Sequence, residues 1–340
     1  MGVNTTGDYN TAIGYAALDA NTTGGALVAV GYYALSSNTT ASDNVAVGYY
    51  SAADNTTGTY NVSVGRESNR QITGGNHNTS LGHQALYSGT TCSHNTAVGS
   101  GALNSATSSQ NNAFGYSALN GLTTGAYNTA MGYESCNACT TGERNTCVGN
   151  HSGGAVTTGH RNVCIGMDAG GAISTGYRNT TIGTAAGNSL ADGYNCIIIG
   201  FDAQSSSTDS NNQITLGNSN ISYLRCNVQT INSLSDGRDK TDVVDLPIGI
   251  DFINKLRPVK FKWDRRTPDE TNGKVRAGFI AQELQEAQKG SEFMDLVLNE
   301  NPDKLEASYA NLIPAMVQAF KELSAKNDAL EARLAALESN

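Results

Sequence analysis

Gly125-Ala-Tyr-Asn-Thr-Ala-Met-Gly132 is followed 17 residues later by Gly142-Glu-Arg-Asn-Thr-Cys-Val-Gly149, and again by Gly159-His-Arg-Asn-Val-Cys-Ile-Gly166. The same spacing extends in both directions. The closing glycine recurs as Gly14, Gly31, Gly48, Gly65, Gly82, Gly99, Gly115, Gly132, Gly149, Gly166, Gly183, Gly200 and Gly217, with every step 17 residues except the 16 from Gly99 to Gly115. A short fixed period over more than 200 residues means one small unit stacked repeatedly.

The columns of the repeat sort by chemistry. A large apolar residue always precedes the glycine, as Ile13, Val30, Leu81, Phe114 and Met131 do. Two before it the residue is usually small: Ala12, Ala29, Ser63, then Cys147, Cys164 and Thr181. Three after it is small again, as in Ala17, Ala34 and Ser51. Four before it is asparagine in ten of thirteen repeats, including Asn10, Asn44 and Asn179. Seven before it a second glycine often ends a Thr-Thr-Gly turn, as Gly24, Gly58 and Gly142 do.

Seventeen residues are too few for two helices and a turn. They suit two short strands and two turns, one coil of a β-solenoid. Glycine supplies positive φ at the corners. The asparagines predict a stacked amide ladder that satisfies turn backbone. Rungs about 4.8 Å apart give a rod of roughly 58 Å. Stacked rods more often display or bind than catalyse. The pattern of Asn10-Thr-Ala-Ile-Gly14 and Asn128-Thr-Ala-Met-Gly132 resembles the head repeat of trimeric autotransporter adhesins over about residues 8–218. That resemblance implies a mainly β, parallel β-roll with three chains side by side, a roll also found in phage fibre proteins.

Composition changes near residues 220–235. Residues 1–234 hold 6 Lys+Arg and 11 Asp+Glu, whereas residues 235–340 hold 15 and 19. All five prolines and Trp263 fall in the second part, and all five histidines in the first. We therefore expect a β-roll of 13 coils over 1–219, a linker strand over 220–234 including Ile221-Ser-Tyr-Leu-Arg-Cys-Asn-Val228, and a second domain over 235–340. In that domain Val259 to Trp263 alternates as a strand does, and Ile280 to Glu286 reads as a short helix. A long helix over about 309–338 carries Met316, Phe320, Leu323, Asn327, Leu330, Leu334 and Leu337 in alternating steps of four and three. That is a coiled-coil seam, in which a polar Asn327 fixes register and strand number. The plainer reading is an amphipathic helix packed on its own domain.

Three stretches of this second part, Ser235-Asp-Gly-Arg-Asp-Lys240, Leu256-Arg-Pro-Val-Lys-Phe-Lys-Trp263 and Gly278-Phe-Ile-Ala-Gln-Glu-Leu284, followed by Tyr309-Ala-Asn-Leu-Ile-Pro-Ala315, resemble the intramolecular chaperone of phage tailspikes and tail fibres, the type found behind endosialidases. The resemblance covers nearly all of 235–340. It implies a domain that trimerises, assists folding of the fibre before it and then cuts itself off just before the serine of the Ser-Asp-x-Arg-x-Lys motif. Carried over, the cut falls between Leu234 and Ser235, with Ser235 as nucleophile and Lys240 as base. A serine hydroxyl needs a base to take its proton. No histidine follows position 160, and a lysine serves where burial lowers its pKa. Such an enzyme is a serine autoprotease that turns over once. From spacing alone, Ser235-Asp-Gly is a turn and Lys240 a solvated charge.

Other columns bear weaker chemistry. Arg144, Arg161 and Arg178 stack on one edge, in the column of Tyr60, His77, His94 and Tyr127. They form either a solvated turn column or a grip on an acidic glycan. Tyr15, Tyr32, Tyr49, Tyr116 and Tyr133 form a column suited to packing between chains or to sugar faces. Glu134, His151 and Asp168 share a third column, and the two acids, about 10 Å apart by rung spacing, raise an inverting glycosidase. Cys136 and Cys139 have metal-ligand spacing without a second pair. Cys147 and Cys164 read as buried thiols, and seven cysteines without regular pairing suit assembly in a reducing cytoplasm.

No residue pattern calls for a cofactor or metal. A net charge of −9 argues against nucleic acid, and no apolar run or signal peptide calls for a membrane. The repeats begin within ten residues of Met1, so the chain reads as a fragment or as a protein that docks through its first coils. The reading that joins these features is a homotrimeric phage tail fibre in the virion. It would contact other tail proteins and a host-surface glycan or protein receptor. An enzymatic tailspike that degrades host polysaccharide is the alternative, and a bacterial surface adhesin a third.

Overall fold

A computed structural model describes residues 3–221, 223–225, 235–266, 272–299, 301–303 and 305–339. The chain divides into two compact units, residues 1–218 and 219–340.

The first unit is a parallel β-solenoid. Thirteen three-residue strands, from β1 (Thr11–Ile13) to β13 (Ile214–Leu216), form one sheet in sequence order. Each strand pairs with its copy one coil on, as in Thr11↔Val28, Ala12↔Ala29 and Ile13↔Val30. The 16-residue step keeps this register, with Thr96↔Asn112 and Val98↔Phe114. Thr107 N–H donates to the Thr123 carbonyl and the Ser108 hydroxyl to the Gly125 carbonyl. The missing residue is therefore the second threonine of a Thr-Thr-Gly turn, outside the sheet.

Strand alternation decides which column faces in. The small residue two before the glycine is buried, as Ala29, Ala46, Ala97 and Cys147 are. The large apolar residue beside the glycine points outward: Ile13 is 60% exposed, Leu81 47% and Met131 45%. The bulk of the core comes instead from a column four after the glycine, where Leu18, Leu35, Leu86, Leu103 and Leu119 are fully buried. These leucines hold left-handed backbone, with φ from 48 to 52°, so the coil turns inward at a bulky residue rather than at a glycine.

Volume shifts between columns along the stack. Where the strand offers Ala12, Ala29, Ala97 or Ala113, the opposed column offers leucine. Where the strand offers Cys147, Cys164 or Thr181, that column becomes Gly153, Gly170 or Gly187. A Cβ at Gly153 would lie 2.6 Å from Cys147 Sγ, and one at Gly170 2.5 Å from Cys164 Sγ. A third column compensates by growing into Val156, Ile173 and Leu190, all fully buried. Buried volume thus passes from one column to another along the stack.

Turns are held by amide ladders. Asn128 Nδ2 donates to the Gly142 carbonyl at 2.8 Å, and Asn128 Oδ1 accepts from Asn145 N–H at 2.9 Å. The pattern recurs from Asn44 to Asn179. A second ladder runs through Asn21, Asn38 and Asn55. Asn38 Nδ2 donates both to Asn21 Oδ1 and to the Ala41 carbonyl, each at 3.0 Å. In the last coil, before β13, buried Ser205, Ser206 and Ser210 replace apolar side chains. Their hydroxyls bond to one another and to the chain, which closes the end with satisfied polar groups.

The second unit packs a small core of Phe252, Leu284, Met294, Leu296, Val297, Leu312 and Ala315. Helix α1 spans Ile250–Ile253 and α2 spans Ala281–Ala287, one residue later than the sequence suggests. Strand β14 (Val259–Lys262) pairs antiparallel with β15 (Val275–Gly278), and β16 (Val297–Leu298) with β17 (Glu306–Ala307). The long helix α3 is Ile313–Glu338, preceded by a 3-10 turn at Tyr309–Leu312. It starts later than the expected 309 because Pro314, which lacks an N–H, fits its first turn. Of the linker strand expected over 220–234, residues 222 and 226–234 lie outside the described residues, and Ile221 and 223–225 are not in a strand.

Candidate functional site

Asp236 organises the start of the second unit. Its carboxylate caps the 3-10 turn Gly237–Asp239 by accepting from Arg238 N–H at 2.9 Å. The Arg238 guanidinium donates to both oxygens of the same carboxylate. That ion pair, joined by the backbone bond, holds the Asp236 carboxyl below the ordinary carboxylate value. The turn reverses the chain and brings Lys240 back over Ser235. Lys240 Nζ lies 2.6 Å from Ser235 Oγ and 3.4 Å from its carbonyl oxygen. The two residues singled out by the motif therefore meet. Both stand in solvent, as does Asp239. Leu234 lies outside the described residues.

Helix α3 carries the second feature. Ala315 and Ala319 are buried, and Glu322 accepts from Ile250 N–H at 2.9 Å. This face packs on the domain. The seam does not: Phe320, Leu330, Leu334 and Leu337 are each more than half exposed. Asn327, in the same seam, donates to Glu331 at 3.1 Å.

The solenoid columns separate on inspection. Arg144, Arg161 and Arg178 all hold left-handed backbone, φ 58–59°, and are exposed. Arg144 pairs with Glu143 at 3.0 Å and lies over Tyr127. Arg178 lies over Tyr177, within a ring stack of His160, Tyr177 and Tyr194 at 5.0 Å spacings. Tyr15, Tyr32 and Tyr49 stack at 5.3 and 5.4 Å, and Tyr33 and Tyr50 form a parallel stack edge-on to them. Arg66 and Arg70 close the two stacks. The ring faces are thus spent on each other, and the rings present edges rather than faces to a sugar.

His151 sits between the two acids of its column. Its Nε2 is 3.0 Å from Glu134 and its Nδ1 4.0 Å from Asp168. An imidazole occupies the space that a glycosidase leaves for substrate and water. Hydrogen bonding to Glu134 pushes the Tyr133 phenol up. The six described cysteines are all buried, and burial pushes the Cys92 thiol up to about 11. Cys136 and Cys139 point into the same interior, and no group of three metal-ligand side chains occurs among the described residues.

The outward strand face had no role in the sequence reading. Val28, Val45, Val62, Val163 and Ile197 line it beside the large column, and it bears no charged residue from β1 to β13. Its signal was the alternation itself, large–small–large around each strand. No described helix is long and apolar enough to cross a membrane.

The family model of the chaperone of endosialidase matches residues 235–298. No curated protein and no solved structure matches the chain. The match starts at the serine that Lys240 touches and runs through α1, β14, β15, α2 and β16. Residues 235–298, C-terminal to a 13-stranded parallel β-solenoid, are thus similar to the chaperone of endosialidase.

Proposed function

We propose that this chain is a phage tail fibre or appendage protein whose solenoid attaches to a host surface, and whose chaperone domain drives trimerisation and folding before cleaving itself off. The 2.6 Å approach of Lys240 Nζ to Ser235 Oγ, at the first residue of the family match, carries this reading.

The chemistry proceeds in two stages. Neutral Lys240 accepts the Ser235 hydroxyl proton, and Oγ forms a bond to the Leu234 carbonyl carbon. The C–N bond to Ser235 breaks as the lysine returns the proton to the leaving nitrogen. Water then hydrolyses the ester, which restores the serine and leaves a carboxylate on Leu234. A lysine must be desolvated to be neutral near pH 7. In the single chain it is exposed, so the proposal assigns its cover to neighbouring copies.

Two apolar surfaces support association. The seam of α3 is exposed along its length, and the outward strand face offers uncharged aliphatic side chains on successive rungs. Exposed apolar surface of this extent marks an interface. Attachment is supported by the rod itself and by the outward arginines Arg144, Arg161 and Arg178, which we assign to an anionic glycan receptor. The chain needs no cofactor in this role and belongs in the virion, assembled in the host cytoplasm. A denaturing gel of purified protein, read beside its native mass, tests cleavage and trimerisation together. A folded, uncleaved monomer would overturn the proposal.

A further inference from the structure

The apolar interior of the solenoid is interrupted. One cluster runs from Ala17 to Ile72, and a second begins at Ala85. Before and across that break the inward columns turn polar: Ser51, Ser63, Ser68, Asn69 and Ser80 are all fully buried. Some of these groups are satisfied. The Ser51 hydroxyl donates to the Ser63 carbonyl at 2.8 Å, and the Ser68 hydroxyl to Ser80 Oγ at 2.7 Å. The Ser63 hydroxyl and both amide atoms of Asn69 have no partner among the described residues.

Ser63 and Asn69 occupy the two columns that face each other within a coil. The geometry of another coil shows this, since a Cβ at Gly153 would lie 2.6 Å from Cys147 Sγ in the same two columns. A donor–acceptor amide and a hydroxyl therefore share one interior. Leaving such groups unpaired costs more than a made bond returns. Native interiors meet that cost with bound water, which takes two to four polar partners. In a stack where each rung touches only its neighbours, stability is a sum over interfaces, and from Ser63 to Ser80 Ile72 is the one fully buried apolar side chain.

We infer that the coil of Ser63 and Asn69 is a hydrated joint: its interior binds water between these two side chains, and the coils before it open independently of those after Gly82.

Amide hydrogen exchange on the intact chain reads both sides of the joint. Strand amides from β1 to the strand at Val62–Val64 should exchange about tenfold faster than those from Thr79 to Ile199. Asn69→Leu combined with Ser63→Ala installs what Leu35 and Ala46 supply in the same columns. The φ of 53° at Asn69 matches the 48° at Leu35. This variant should remove the difference, raise the thermal midpoint and lower the number of long-lived internal waters seen by oxygen relaxation dispersion. Asn69→Ala, matched by Ala52 in the same column, should narrow the difference where the larger side chain does not fit. Uniform protection along the wild-type rod, an unchanged count of internal water in the folded variants, or a midpoint lowered by both variants would overturn the joint.

Discussion

Gly48 faces Gly65 so closely that a Cβ on Gly48 would lie 2.4 Å from the Gly65 carbonyl oxygen. The relation repeats up the stack. From Gly14 to Gly183 the added carbon would meet the next glycine's carbonyl oxygen at 2.2 to 2.7 Å, and φ lies between 124 and 143°. The glycine column is therefore fixed twice, by backbone conformation and by the approach of the next rung.

Gly115→Ala tests this. Its Cβ would sit 2.2 Å from the Gly132 carbonyl oxygen at a φ of 139°. Backbone strain alone costs about 1–3 kcal/mol, and the clash with backbone adds to it. The melting temperature of the rod should fall sharply, followed by circular dichroism. Gly237→Ala is the contrast, because nothing lies within 4 Å of its Cβ position, and it should leave the fold unchanged.

The exchange of volume between columns predicts a coupled pair. Gly170→Ala places a Cβ 2.5 Å from Cys164 Sγ and 3.0 Å from Thr181 Oγ1. Overpacking of this kind costs about 1–3 kcal/mol. Cys164→Ala in the same chain removes the nearer clash and should recover part of that loss, although alone it opens a cavity. A double-mutant cycle by denaturant unfolding should show this coupling, whereas additive losses would mean that the columns do not compensate.

Much of this was legible in the sequence because a repeat prints its own alignment. The 17-residue period gives the strand register directly, and Thr96↔Asn112 shows that one missing residue shifts nothing. The core column was harder to see. Leu18 and Leu35 mark it, but Ala52, Asn69, Cys136 and Gly153 stand in it too, since volume passes between columns and no single one stays apolar. The outward direction of Ile13 or Met131 follows from strand alternation only once the interior is known to be narrow. The meeting of Ser235 with Lys240 followed from the motif and not from spacing, because five residues can close a turn in many ways.

The exposed seam of α3 predicts assembly. Leu330 and Leu334 are 64% and 57% exposed in the single chain, so Leu330→Asp and Leu334→Asp should cost a monomer little. In a coiled coil each leucine buries about 1.5–3 kcal/mol per chain. Light scattering should give three chains for wild type at micromolar concentration and a shift towards one for the double variant. Asn327→Leu should raise the melting temperature while admitting other stoichiometries. A wild-type protein that is a stable folded monomer would remove the trimer.

The cut is the last test. Ser235→Ala and Lys240→Ala should each leave an intact chain of 340 residues that still folds and trimerises. Lys240→Arg keeps length and charge, but a guanidinium cannot give up its proton, so it should be equally inactive. Asp236→Ala removes the cap that turns Lys240 towards Ser235. Loss of that cap should slow cleavage several-fold at neutral pH. Because Arg238 holds the Asp236 carboxyl below its ordinary value, the cap is fully formed above that ordinary value. It is lost as the pH falls through the lowered one. The turn should therefore survive mild acid. Wild type should yield residues 1–234 and 235–340, and the freed rod, without the register-setting helix, should resist unfolding and fail to refold. Mass spectrometry decides: an intact wild-type chain after prolonged incubation, or a new N-terminus other than Ser235, would show that the Ser235–Lys240 contact is only a turn.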